Sequence, residues 1–229
     1  MQTNTQNGYG VPVAIVVAGL LVAGAVFWSG NGSSVASNTD TNHAGIEPRG
    51  EFRMPDETDH VRGNPDASIA IVEFSDLECP FCAQIHPTLS RIVEENEDVK
   101  WVFRHFPLST IHSRALSAAV ASECVARLGN NDNFWTFADA AFANQRRLGD
   151  GWYKEMAATF GIDSSAFQNC LNDKSVVALI QTDLDEATGT GGRGTPYVVV
   201  VTPKGNLVPF SGALPIQQVM ALIEQARNN

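Results

Sequence analysis

The chain has 229 residues, 44% hydrophobic and 17% charged, with a formal net charge of −10. That length fits one ordinary domain with or without appendages, and the apolar content suffices for a packed core, which excludes disorder throughout. The acidic balance suits neither a phosphate backbone nor an anionic membrane surface, so no nucleic-acid partner is expected.

Residues 1–10 form a short tail without charge. Residues 11–28 (VPVAIVVAGLLVAGAVFW) are apolar and equally uncharged. As a helix this run would be about 27 Å long, enough to cross a bilayer core, with Tyr9 and Trp28 at the two interfaces. It reads as a transmembrane anchor. A cleaved signal peptide is the alternative: Ser34-Val35-Ala36 is an acceptable cleavage site, but no Lys or Arg precedes the run. Residues 29–62 start rich in Gly, Ser, Asn, Thr and Ala and become charged and proline-containing, with no period of 2 or 3.6. That composition describes a flexible linker.

A folded domain is expected over residues 63–229. Residues 68–75 (SIAIVEFS) have the β-branched, apolar character of a short buried strand. Pro80 suits the first turn of a helix over 80–95. Residues 99–106 (VKWVFRHF) form a second strand, stopped by Pro107. Together these make a βαβ unit with parallel strands and a right-handed crossover. From about 113 to 188 the apolar spacing stays near 3.6 without a fixed repeat, the pattern of an all-helical insertion. Gly161 and Asp163 mark a helix stop and an N-cap within it. Residues 197–202 (YVVVVT) and 207–210 flank a Pro-Lys-Gly-Asn turn as an antiparallel hairpin, and an amphipathic helix follows over about 214–227. The fold class is α/β with a mixed sheet.

Cys79-Pro80-Phe81-Cys82 follows the first strand and opens a helix. A cysteine there meets free backbone N–H groups and the positive end of the helix dipole, which favour thiolate over thiol. Cys79 is then the reactive sulfur, and Cys82, three residues on and turned inward, the resolving thiol. Zinc would need a second such pair or histidines at ligand spacing, and the five histidines supply none. A structural disulfide closing so short a loop would constrain the unfolded chain little. The motif therefore points to redox chemistry that needs no metal and no organic cofactor. Cys124 and Cys170 fall on separate helices of the insertion. Paired, they would close a loop worth about 4 kcal/mol; two buried reduced cysteines are the alternative. Thr195-Pro196 stands at the mouth of a strand, which forces extended geometry before the proline and makes the bond a candidate for cis.

Three other patterns carry less. Residues 189–194 spell GxGxxG, but they precede a strand and open no helix, so no dinucleotide site follows. Glu94-Glu95 and the group Asp183, Asp185 and Glu186 read as solvated helix faces. Phe134, Trp135, Phe137 and Phe142 read as helical core.

A strand running into VEFSDLECPFC, a helical stretch, and RGTPYVVV before a hairpin, in that order, resemble the DsbA-like branch of the thioredoxin superfamily over about residues 63–227. The resemblance implies a thioredoxin-like mixed sheet with an inserted helical subdomain and a redox-active Cys79–Cys82 pair, Cys79 as exposed nucleophile and Cys82 buried. It implies a cis Pro196 beside that pair, with Thr195 backbone groups pairing to an extended substrate segment. Glu73, six residues before Cys79, would match the buried acid that assists proton transfer at the resolving cysteine; a solvent-facing strand residue is the other reading. Pro80 and Phe81 would modulate the pair. Strongly oxidising members carry Pro-His there, and Phe81 supplies no donor, so a less oxidising potential is implied. His86, one turn beyond Cys82, would be a partial substitute for that histidine or a solvated helix position. The implied function is a membrane-tethered thiol:disulfide oxidoreductase on the periplasmic or extracellular side, forming disulfides in cysteine-containing exported proteins and reset by a membrane oxidant. A reductase or isomerase on the same fold is one rival; a non-catalytic client-binding module is another.

Overall fold

Five strands and seven helices are laid out along residues 51–229, the part of the chain that the computed structural model describes. The tail and the apolar run over 11–28, and with them the anchor and signal-peptide readings, lie outside the described residues. Among the described residues no helix is long and apolar enough to cross a membrane.

Strand β1 is His60–Gly63, β2 Ile69–Ser75 and β3 Val99–His105, with helix α1, Pro80–Glu95, between β2 and β3. β2 and β3 pair in parallel, from Ile69 against Val99 to Ser75 against His105, as a βαβ unit requires. β4, Tyr197–Val201, and β5, Leu207–Ser211, form the antiparallel hairpin, and β4 lies antiparallel to β2. The sheet order is β1-β3-β2-β4-β5, which makes it mixed and puts β2 in its centre. β1 corrects the linker reading, which ran to residue 62. It pairs antiparallel with β3, His60 opposite Phe103, and upstream Phe52 packs edge-on against Phe74. A four-residue edge strand is too short to show a period, and its hydrogen bonds come from a strand some forty residues away in sequence.

The alternation of β2 divides the core. Ile69 and Ile71 join Trp101 and Phe103 of β3 beneath α1, whose Ile85, Leu89 and Ile92 face them. Ala70, Val72 and Phe74 line the other face with Val102 and Val199. Helices α2 (Ala115–Leu128), α3 (Asn131–Ala143), α4 (Asp150–Thr159) and α5 (Ser164–Leu171) make up the insertion. Phe134, Trp135, Phe137 and Phe142 are buried in it, as read. Asp163 caps α5 by accepting from the Ala166 N–H, and Gly161 takes the left-handed turn before it at φ 72°. Cys124 and Cys170 are joined by a disulfide that ties α2 to α5. Helix α6, Lys174–Gly189, reads in sequence as the last piece of the insertion, yet its Leu184 and Ala187 cover the second face of the sheet. Helix α7, Ile216–Arg227, closes the first face with Val219, Ile223 and Ala226.

The acidic group on α6 is also corrected. Asp185 is exposed, but Asp183 and Glu186 are buried. Arg104 of β3, 1% exposed, donates to Glu186 at 2.6 Å and to both oxygens of Asp59 at 2.9 Å. Asp183 accepts the His105 N–H, and Glu186 accepts the Arg53 N–H. Charge patterning along one helix shows neither cation, because both come from other elements. Glu94 and Glu95 are exposed, as read.

Two stability outcomes follow. Removing the Cys124–Cys170 disulfide, whose ends are 46 positions apart, by the substitutions Cys124→Ala/Cys170→Ala lowers unfolding free energy by about 4 kcal/mol in denaturant titrations. Arg104→Ala leaves Asp59 and Glu186 buried without their main partner and costs about 3–5 kcal/mol in the same titration.

Candidate active site

β2 delivers the chain to the site and α1 receives it. Between them Asp76 folds the turn: its side chain accepts the Glu78 N–H at 2.8 Å, and its carbonyl accepts the Cys79 N–H at 2.9 Å. The other Asp76 oxygen takes the Leu108 N–H and His112 Nδ1 from the loop after β3. Cys79 is the N-cap residue of α1 in extended conformation, and Pro80 occupies the first helical turn, where its missing N–H costs no hydrogen bond. The insertion holds the same turn. Glu78 is bound by Arg114, and Gln145 donates its Nε2 to the carbonyls of Leu77 at 3.1 Å and Cys79 at 2.9 Å.

The two thiols, both free here, occupy opposed environments. Cys79 is held down to a pKa of about 6. The Cys82 thiol contributes most by donating to its sulfur, and the first-turn N–H groups of Cys82 and Phe81 add to it against the opposing effect of burial. Cys82 is fully buried, and desolvation pushes its thiol well up, reinforced by its bond to Cys79 and by the nearby Glu73 charge. The resemblance implies an exposed nucleophile; Cys79 is in fact only 3% exposed, because the Thr195 segment covers it, with its thiol donating to the Thr195 carbonyl at 3.4 Å. The Thr195-Pro196 bond is cis. Phe81, between the cysteines, is 60% exposed.

Glu73 faces inward. It is fully buried on the side of β2 that packs under α1, and it accepts from Ser75 Oγ at 2.8 Å and Trp101 Nε1 at 3.1 Å. Desolvation raises its pKa to about 7, opposed by those two donors. The solvent-facing reading of Glu73 is thereby removed. Both readings of His86 are corrected as well. It is buried, packs on Trp101 and Phe142, and binds Asp139 through Nε2 at 2.6 Å. Four residues beyond Cys82 it points into the join between α1 and α3, away from the turn that Cys79 caps.

The glycine-rich stretch serves the approach to Thr195. Gly192 donates its N–H to the Ala187 carbonyl at 2.7 Å, and a Cβ there would meet that same oxygen at 2.7 Å, so only glycine fits. Asp76, Glu78, Arg114 and Gln145 were not singled out in sequence. Asp76 carries a local signal, an Asx residue between a strand and a proline-led helix. Gln145 carries none, since its acceptors lie 66 and 68 residues away.

Residues 55–206 match the family model described as Thioredoxin. Among solved structures the chain is similar to Pseudomonas aeruginosa DsbA2, with a TM-score of 0.65 and 27% identity over 77% of this chain and 98% of that one. A thioredoxin-like oxidoreductase from Silicibacter pomeroyi matches with a TM-score of 0.65 and 25% identity over 76% and 95% of the two chains. A curated relative, the Na(+)/H(+) antiporter NhaA 3 of Salinispora tropica, is 34% identical over 144 residues, 63% of this chain. The chain spans only about a fifth of that protein's length, 22%. The family model covers the first four strands, the cysteine pair and the Thr195-Pro196 segment alike, and the chain belongs to the thioredoxin superfamily as a DsbA-like member.

Proposed function

We propose that the chain is a thiol:disulfide oxidoreductase working through Cys79 and Cys82, and that it runs as an oxidase on exported proteins. The observation that carries the reading is the separation of the two thiols, one ionised near neutrality at a helix terminus and one desolvated beneath it. In the oxidised form a client thiolate attacks the Cys79 sulfur, the Cys79–Cys82 bond breaks, and Cys82 leaves with the electron pair. Cys82 takes a proton, for which Glu73, with its pKa near neutrality, is the nearby donor. A second client thiolate then attacks the client sulfur of the mixed disulfide and expels Cys79, a good leaving group because its thiolate is stabilised. The client gains a disulfide, the protein ends as a dithiol, and a membrane oxidant resets it. The cis Thr195-Pro196 segment beside the Cys79 sulfur is where an extended client strand would lie, and exposed Phe81 offers it an apolar contact.

Two observations favour an oxidising compartment. The Cys124–Cys170 disulfide is of the kind that persists outside the cytosol. The apolar run over 11–28 would tether the domain to a membrane, with the catalytic part on its outer side. The reductase and isomerase readings differ from this one in reduction potential, which equilibration with glutathione measures. A potential near that of thioredoxin, about −270 mV, would overturn the oxidase direction.

The rate of Cys79 alkylation in the dithiol should rise with pH around a midpoint near 6, with Cys82 unlabelled over the same range. Cys79→Ser should abolish disulfide transfer to a reduced two-cysteine peptide. Full activity in that variant would restore the non-catalytic reading.

Glu73 predicts a second pH effect. Its carboxyl holds a proton more tightly folded than unfolded, so it lowers stability as pH rises from about 4.5 through about 7. In the disulfide form, where neither active-site thiol titrates, Glu73→Gln should remove that decline. The variant should be more stable than the parent at pH 8, by up to about 3 kcal/mol, and similar to it at pH 4 in denaturant titrations.

A further inference from the structure

Whether Cys82 is leaving or attacking, a proton must enter or leave a sulfur with no exposed surface. Glu73 and Ser75 are equally enclosed, at 0% exposure each. They are two residues apart on β2, so both point to the face under α1, the face that Cys82 also meets. Glu73 has two side-chain donors in this enclosure, Trp101 on one oxygen and Ser75 on the other. The indole N–H donates only and cannot pass a proton on, whereas a hydroxyl both donates and accepts. Ser75 also acts on the Cys82 sulfur, favouring its thiolate against the effect of burial.

We propose that the Ser75 hydroxyl is the proton relay between the Glu73 carboxyl and the Cys82 sulfur. This rests on the oxidoreductase reading above and adds to it the route by which the buried thiol is ionised. The hydroxyl carries one hydrogen, so it serves one acceptor at a time. In the structure that hydrogen goes to Glu73 Oε1, at 2.8 Å, which leaves the oxygen lone pairs open to the Cys82 thiol. When Cys82 attacks a mixed disulfide on Cys79, its proton passes to the Ser75 oxygen and the Ser75 proton passes to the Glu73 carboxylate. The Cys82 sulfur forms its bond to the Cys79 sulfur, the bond from Cys79 to the partner breaks, and the partner leaves as a thiolate. Ser75 ends unchanged, Glu73 ends protonated, and two electrons have gone from the dithiol to the partner. In the oxidase direction the same two protons move the other way: the hydroxyl accepts from the Glu73 acid and donates to the departing Cys82 thiolate.

The test uses the dithiol protein and oxidised glutathione, followed by acid quench and mass spectrometry. Cys79 first forms a glutathione adduct, a step in which Cys82 neither forms nor breaks a bond to sulfur, and Cys82 then displaces the glutathione. Ser75→Ala should leave the first rate within about twofold and slow the second at least about tenfold near pH 7, so that the adduct accumulates. Ser75→Thr, which keeps the hydroxyl, should restore most of the second rate. The double variant Ser75→Ala/Glu73→Gln should be no slower than the slower single variant, as serial members of one path require. An unchanged second rate in Ser75→Ala would overturn the relay. If Ser75→Ala does not fold, the dependence of the parent's second rate on the deuterium fraction of the solvent decides: two protons in flight give a bowed curve, and a straight line removes Ser75 from the path. A parent protein that forms no adduct and no disulfide would instead overturn the oxidoreductase reading, and the relay with it.

Discussion

Two sulfurs one helical turn apart cannot both be ionised in a protein interior, and the site is arranged around that constraint. Cys79 stands at the N-cap of α1, where the first-turn N–H groups of Phe81 and Cys82 favour its thiolate. Cys82 lies one turn inside, against the centre of the sheet, where no solvent supports a charge. Each environment strengthens the other: the protonated Cys82 donates to Cys79, and the charge on Cys79 makes ionising Cys82 harder still. Placing Glu73 on the middle strand of the sheet completes the arrangement, since the burial that holds Cys82 as a thiol also lifts the carboxyl toward neutrality.

Such a separation holds only while the turn from β2 into α1 keeps its shape, and that shape is set from outside the turn. The loop after β3 reaches Asp76 through Leu108 and His112, the start of α2 reaches Glu78 through Arg114, and the turn after α3 reaches the carbonyls of Leu77 and Cys79 through Gln145. The helical insertion is therefore more than a cover for the site. It supplies hydrogen bonds to backbone groups that would otherwise meet water beside the reactive sulfur. The disulfide between α2 and α5 keeps the insertion together, and with it the positions of Arg114 and Gln145 relative to the sheet.

On the far face of the sheet the chemistry is ionic. Arg104 is fully enclosed and shared between Asp59 and Glu186, while Arg53 adds contacts to the same carboxylates. This cluster joins the segment before β1 to α6, so the domain begins about ten residues earlier than composition implies. Buried pairs of this sort add little net stability over apolar packing but are costly to break on one side, which makes them effective at fixing which segments meet.

Much of the protein was legible in the order of residues along the chain. The parallel βαβ unit, the hairpin, the core aromatics of α3 and the reactive cysteine pair rest on local facts: β-branched runs, a period near 3.6, and a proline after a cysteine at a strand–helix junction. These signals lie within the few residues that make each element, so they survive without knowledge of neighbours. Tertiary structure alone decided what depends on partners far away in sequence. β1 exists because β3 pairs with it, and Asp183 and Glu186 are buried because Arg104 and Arg53 arrive from other elements. His86 is held between α1 and α3 by Asp139, and Gln145 finds the active-site turn across more than sixty residues. The environment of Glu73 was open in sequence for the same reason. Alternation along a strand tells which residues share a face, whereas which face is covered, and by what, is settled only when α1 and α6 pack on opposite sides of the sheet.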